Sequence, residues 1–487
     1  MSTTAETTAK TPRARYPRAV AYIIGNEAAE RFSFYGMRNI LTVFLINYLL
    51  LQEIPDDASR TATAKATFHL FVSGVYFFPL LGGFLADRFL GKYRTILYLS
   101  LLYCVGHAFL AFFEGSKNGF YAGLFLIALG SGGIKPCVSA FVGDQFDESN
   151  KALVKGVFGL FYWIINFGSF FASLLIPVTL ETWGPSVAFG IPGLLMLLAT
   201  VIFWLGRKHY VDVPPTGHNP HSFLRVVWSA MRGARPAGGD RLSAAEAHHP
   251  AEAVEGARAV FRVMGVFAAV PIFWALFDQK ASTWVVQATA MDLQVGDVTL
   301  APSQLQALNP LMVMLLIPFL SFVVFPWFER KGWTPTALRR MTAGMFIAGI
   351  SFLMVGAIQV AMDGGRTLSV LWQVGPYLVL TLAEVLVSAT GLEFAYSQAP
   401  REMKGTIMSF WSLTVTVGNL LVAGVSAINV FEGAAGSLFF YAGLIFLAAL
   451  LFAFIASRYT VRDYFQPAPV PVQGEHSEPV DPRGTDA

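Results

Sequence analysis

Charge is what this chain has least of: only 13% of its 487 residues are Asp, Glu, Lys or Arg, about half the share of an ordinary soluble domain. That shortage excludes a well-solvated globular surface. The net charge of +3 gives no basis for nucleic-acid binding, and none is expected. Cysteine is almost absent. Cys104 and Cys137 both sit in apolar stretches, which argues against a disulfide framework and a cysteine-based metal site. The N-terminal segment has no short apolar core followed by a small-residue cleavage site, so no removable signal peptide is expected. The alternation of a membrane β-barrel is missing too. No cofactor or metal is expected.

Hydrophobic residues make up 55% of the chain and are gathered into long runs such as Leu438 to Ala456. With weakly apolar neighbours these reach about 20 residues, the length at which a helix crosses a bilayer. Spans are expected at 19–50, 66–87, 94–113, 120–142, 154–178, 186–206, 260–285, 302–327, 340–362, 371–399, 405–430 and 434–457. The fold class is therefore an all-α membrane protein with twelve transmembrane helices in two six-helix halves. Basic residues cluster before the first span (Lys10, Arg13, Arg15, Arg18), between the second and third (Arg88, Lys92, Arg94), between the eighth and ninth (Arg330, Lys331, Arg339, Arg340) and after the last (Arg458, Arg462). By the positive-inside rule those loops, and both termini, are cytoplasmic. The compact loops suggest a bacterial inner membrane. Residues 1–206 are expected to form an N-terminal six-helix bundle and 260–465 a C-terminal one. Between them, 207–259 reads as a cytoplasmic linker with a short amphipathic helix over 221–232. Residues 466–487, Pro-rich and acidic, read as a disordered tail.

An ionised side chain at mid-membrane costs about 3 kcal/mol on insertion scales, so such residues face a cavity or each other. Here they are Glu27, Glu30, Arg31 and Arg38 in the first span, His69 in the second, Lys135 in the fourth, Asp278 and Lys280 in the seventh, and Glu384 and Glu393 in the tenth. At 100° per residue, Glu27, Arg31, Phe34 and Arg38 share one narrow stripe, with Glu30 and Tyr35 on its flanks. Acid and base thus alternate on one face. The alternative is an ion-pair ladder that merely locks helices together, but buried pairs stabilise poorly beside apolar packing. His107 has no charged neighbour at helical spacing and reads as a packed core residue. Lys280 follows Asp278 by two positions, so it points elsewhere and reads as structural. Trp274 lies one turn from Asp278 and faces the same side. Together these give a cavity with both signs of charge and aromatic walls, suited to a zwitterion.

The segment Gly83 to Lys92 (GFLADRFLGK), between the second and third spans, resembles the signature loop of the major facilitator superfamily. Its members pack two six-helix halves around a central cavity. Glu27 to Gly36 (EAAERFSFYG) resembles the ExxERFxYYG signature of the proton-dependent oligopeptide transporter family. Phe161 to Ser169 (FYWIINFGS), Phe273 to Gln279 (FWALFDQ) and Gly391 to Pro400 (GLEFAYSQAP) resemble further motifs of that family, the last two those of animal peptide transporters. Phe34 departs from the signature, which usually has Tyr there, and two helices that many bacterial members carry between their halves are absent.

The resemblance implies a symporter that imports di- and tripeptides together with protons across the lipid bilayer. By matched position, Arg31 and Lys135 would serve the peptide carboxylate and proton coupling, and Glu384 the peptide amine. Asn166 and Asn309 would hold the peptide backbone. Tyr35, Tyr76, Trp274 and Trp411 would line the cavity. Arg38 and Asp278 would close the outward gate. Glu27, Glu30, Asp278 and His69 are the candidate proton carriers. A carrier of another small anion or zwitterion, such as nitrate or an amino-acid derivative, is the nearest rival, but nitrate would leave Glu384 without a task. An intramembrane hydrolase is disfavoured, because no Gly-x-Ser-x-Gly elbow or His-Glu-x-x-His pair is present. A non-transporting receptor would have no use for the set of proton carriers.

Overall fold

Apolar runs of this length become helices because lipid offers backbone amides no partner outside their own segment. A computed structural model describes residues 15–147, 150, 153–215, 217, 219–234, 238–398, 400, 403–431 and 433–461. Lys10, Arg13, Ala399, Arg462 and the expected tail 466–487 lie outside the described residues. Every expected span corresponds to a helical segment. Among the described residues, nine segments are long and apolar enough to cross a membrane, and a bent pair makes ten. One of the nine, Asp57–Phe112, holds both the second and third expected spans. The first span, helical over 18–49, is not among them, because Glu27, Glu30, Arg31 and Arg38 interrupt its apolar character.

Two boundaries differ from expectation. The second span begins at Asp57 rather than 66. Asp56 caps it, its carboxylate accepting from Ser59 N–H at 2.8 Å, so polar turns extend the helix beyond its apolar part. The seventh span was expected as one helix from 260. It starts at Ala251, inside the segment expected as linker, and breaks into Ala251–Phe267 and a second piece, Val270–Thr289, bent by 50°. Pro271, at the start of that second piece, lacks the amide that would continue the ladder. A 3₁₀ turn, Asp278–Ala281, then interrupts the second piece. A hairpin of Gln294–Val295 with Val298–Thr299 is a small addition to the expected all-α fold.

Within the segment expected as linker, Phe223–Arg232 is an α-helix. Phe223, Val226 and Ala230 are buried while Leu224 and Trp228 are exposed. Buried apolar residues gather into one large cluster drawn from residues 20–203, joined by Ala281, and another drawn from 223–452. The helix 302–330 leaves a broad apolar face uncovered, with Leu315 and Phe322 outward. Such an apolar surface suits lipid, not water.

Between membrane helices the hydrophobic drive is weak, so close backbone packing at small residues matters more. The third and fourth spans meet at Gly106, Gly123 and Gly130, where a Cβ at Gly130 would come within 2.7 Å of Tyr103 Cβ. At Gly82 a Cβ would overlap the backbone of Gly133, whereas at Gly83 it would meet nothing within 4 Å. Gly82→Ala should therefore lower thermal stability in detergent by the equivalent of about 1–3 kcal/mol. Gly83→Ala should be neutral or stabilise by up to about 1 kcal/mol. Equal melting of the two variants would refute this packing.

Candidate functional site

The stripe on the first span forms as its spacing implies. Arg31 Nε lies 2.6 Å from Glu27 Oε1 and 3.1 Å from Glu30 Oε2. Glu27 and Glu30 are buried, so the guanidinium serves two carboxylates where water cannot. Beside them the Lys135 ammonium faces two aromatic rings, 4.2 Å from the centre of Tyr76 and 4.9 Å from that of Phe34. Ring faces are negative, so they hold a cation without neutralising it. Tyr35 is half-buried, edge-on to Phe34 at 5.4 Å.

On the opposite half, Asn309 donates from Nδ2 to Glu384 Oε2 at 2.6 Å and to Thr381 Oγ1 at 3.1 Å. Its Oδ1 accepts from Lys280 Nζ at 2.8 Å. Lys280 is buried and lies 3.3 Å from the centre of the Phe277 ring. This corrects the expectation that Lys280 points away as a structural residue. The helix is not regular here: the 3₁₀ turn Asp278–Ala281 changes the side-chain directions.

A third group joins the halves. Arg38 Nη2 donates to Asp278 Oδ1 at 2.6 Å, with both side chains under a tenth exposed. The other oxygen of Asp278 accepts from Asn419 Nδ2 at 2.7 Å. Asn419 Oδ1 lies 2.7 Å from His69 Nδ1, so that nitrogen carries the hydrogen, and Ser282 Oγ lies 2.8 Å from Nε2. Nearby, Thr42 donates to the carbonyl of Ala281 at 2.9 Å and Gln306 to that of Asn39 at 3.1 Å. These contacts fall late in the first, seventh and eleventh spans and early in the second and eighth. In an up-and-down bundle that is one end, where the first span finishes.

Trp274 and Trp411 stand edge to face at 6.1 Å, and Trp411 meets Phe267 at 5.0 Å. The indole of Trp411 fits only because Gly391 has no side chain. Asn166 is not brought to another site residue; its amide donates to its own helix, to Tyr162 O at 3.0 Å. His107 is a buried core residue stacked on Tyr103 at 5.0 Å. Glu393, paired with Arg340 at 3.4 Å, is largely exposed. Sequence reasoning missed Asn419, Ser282 and Thr381. Only Asn419 carried a signal, as an amide in the middle of an apolar span.

A buried ion pair that loses one partner costs about 3–5 kcal/mol, while replacing both with apolar groups is often neutral. Arg38→Met or Asp278→Leu alone should sharply lower thermal stability in detergent, and the double variant should recover most of it. A double variant as unstable as the sum of the single ones would show that the two residues are not coupled.

The family model described as the POT family matches residues 93–430. Solute carrier family 15 member 2 of Mus musculus is 36% identical over 370 residues, covering 72% of this chain and 50% of that protein. Peptide transporter 3 of Caenorhabditis elegans is 37% identical over 373 residues, covering 72% and 51%. The chain spans about half the length of the curated relatives it matches. The in meso crystal structure of the POT family transporter PepTSo is 52% identical with a TM-score of 0.87, covering 91% of this chain and 98% of that one. The crystal structure of an auto inhibited POT family peptide transporter is 51% identical, also with a TM-score of 0.87, covering 93% and 99%.

Proposed function

The chain belongs to the POT family, and on that footing we propose that it is a proton-coupled symporter importing di- and tripeptides by alternating access. One observation carries the reading: each half places a group that can take one end of a zwitterion. Arg31 and Lys135 belong to the first half, and Glu384, cradled by Asn309, to the second. A peptide with a free carboxylate and a free ammonium spans such a pair. Nitrate has nothing to offer Glu384. Arg31 takes the carboxylate through its two-pronged guanidinium, and Glu384 takes the ammonium, replacing Lys280 as its counter-charge. Tyr35, Tyr76, Trp274 and Trp411 supply aromatic walls, and Asn166 and Asn309 supply backbone partners. Arg38 and Asp278 close the outward gate, and Glu27, Glu30, Asp278 and His69 carry protons. Both termini lie on the cytoplasmic side of a bacterial inner membrane. No covalent step is needed.

Coupling follows from the two carboxylates around Arg31. Protonating Glu30 removes one of them and frees the guanidinium for substrate. A symport that carries net positive charge gains about 2.3 kcal/mol per charge for each 100 mV of inside-negative potential. Dipeptide uptake into liposomes should therefore rise with an inward pH gradient and ignore sodium. Uptake that follows sodium and not the pH gradient would overturn the proton assignment.

Glu30→Gln mimics the protonated acid and leaves Arg31 available. Counterflow of labelled dipeptide should survive in this variant while accumulation against a gradient collapses. Full accumulation would move coupling to Glu27, Asp278 or His69. Glu384→Gln should weaken binding of free-amine dipeptides by about 3 kcal/mol, the scale of a broken buried pair. N-blocked peptides should lose much less, and equal losses would remove Glu384 from amine recognition.

A further inference from the structure

Around Glu30, buried polar groups collect inside the first half, several of their atoms without a hydrogen bond. Both carboxylate oxygens of Glu30 lack a hydrogen bond, Oε2 having only its ion pair with Arg31, and Ser131 Oγ, Tyr103 OH, Ser100 Oγ and His107 Nδ1 lack one as well. All of these residues are almost completely buried. Ser131 neighbours both Glu30 and Tyr103, and Tyr103 neighbours Ser33. Ser100, Tyr103 and His107 share one face of the third span by their spacing. The fourth span closes against that face at Gly130. Orphaned polar atoms are costly and rare, and so many in one place calls for a common partner.

The far end of the group is chemically defined. Ser33 Oγ lies 2.6 Å from the carbonyl of Pro192, which only accepts, so the single hydroxyl proton of Ser33 goes there. His107 Nε2, 2.9 Å from Ser33 Oγ, must then be the donor to that hydroxyl. In the neutral ring this leaves Nδ1 as a bare acceptor. Glu30 stands at the near end, where Arg31, Glu27 and Tyr35 of its own helix, Lys135 of the fourth span and Tyr103 of the third are the ionisable groups around it.

We propose that Glu30, Ser131, Tyr103 and His107 Nδ1 bind a chain of internal waters, forming a side chamber that holds the proton of protonated Glu30 apart from the transport cavity. A protonated carboxyl must donate its hydrogen. Hydroxyls and waters pass that donation along, each accepting on one side and donating on the other, and Nδ1 of His107 ends the chain. A buried water makes about three hydrogen bonds, so a few satisfy every orphan. Glu30 keeps its proton throughout, and Tyr103, Ser131 and His107 act as positioning residues. The proposal rests on the reading of Glu30 as a proton carrier.

The test uses the full chain in liposomes, with acid-induced infrared difference spectra and the pH profile of labelled dialanine uptake. Glu30→Gln identifies the carboxylic-acid band of Glu30. Tyr103→Phe and Ser131→Ala should each shift that band to higher frequency, as a donated hydrogen bond is lost. The pH of half-maximal uptake should move towards acid by about one unit, the scale of one such bond, with counterflow unchanged. His107→Gln keeps both a donor and an acceptor and should preserve band and profile. A Glu30 band that ignores both Tyr103→Phe and Ser131→Ala, with an unmoved pH profile, means the hydroxyls are dry and overturns the chamber alone. If Glu30→Gln removes no acid band, Glu30 does not carry the proton, and the carrier role and the chamber fall together.

Discussion

The ion pair between Arg38 and Asp278, 2.6 Å long and shielded from water, is the contact on which much of the site depends. A charge in an apolar medium must be met by an opposite one, and here the partner sits on the other half of the molecule. The halves are therefore drawn together at one end by electrostatics. Asp278 has a second oxygen, and Asn419 satisfies it while also facing His69. The same 3₁₀ turn carries Lys280, which reaches Asn309 and through it Glu384. One short turn thus holds both the inter-half ion pair and the counter-charge of the tenth-span acid. A change at either end of that turn is felt at the other.

The seventh span is also bent ahead of that turn, between Phe267 and Val270. Pro271 interrupts the backbone ladder near one end of the bend, and irregular backbone at membrane depth is tolerated only where protein or a cavity covers it. The buried Trp274 and Phe273 cover it here. The contact between the halves has a different character from the packing within them. Each half has its own large apolar cluster, and where the halves meet, hydrogen bonds and an ion pair are added to close helix packing. Apolar packing within a half persists through small motions, whereas polar contacts can be exchanged for water.

Much of this was legible in the residues. Apolar runs of spanning length appear as helices, though the 57–112 segment and the charge-rich first span kept a purely compositional count below twelve. The stripe of Glu27, Arg31 and Arg38 was readable because a regular helix converts spacing into direction. The same rule failed at Lys280, where the helix is not regular. It had nothing to say about Asn419, whose role depends on a partner in a distant part of the chain. Asn166 carries a matched motif, yet no other site residue meets it.

By itself the sequence determined the solvent this protein folds in, the rough placement of its helical segments and which charges had to be hidden. Hydrophobicity and helical period act locally, so a linear reading captures them. Only the tertiary structure decided how those charges were paired: Arg38 with Asp278, Lys280 with Asn309 and Glu384, and His69 with Asn419 and Ser282. Each of those pairings except the one between Arg38 and Asp278 was invisible beforehand. Pairing depends on distance in space between residues far apart in the chain, and a single break in one helix was enough to redirect it.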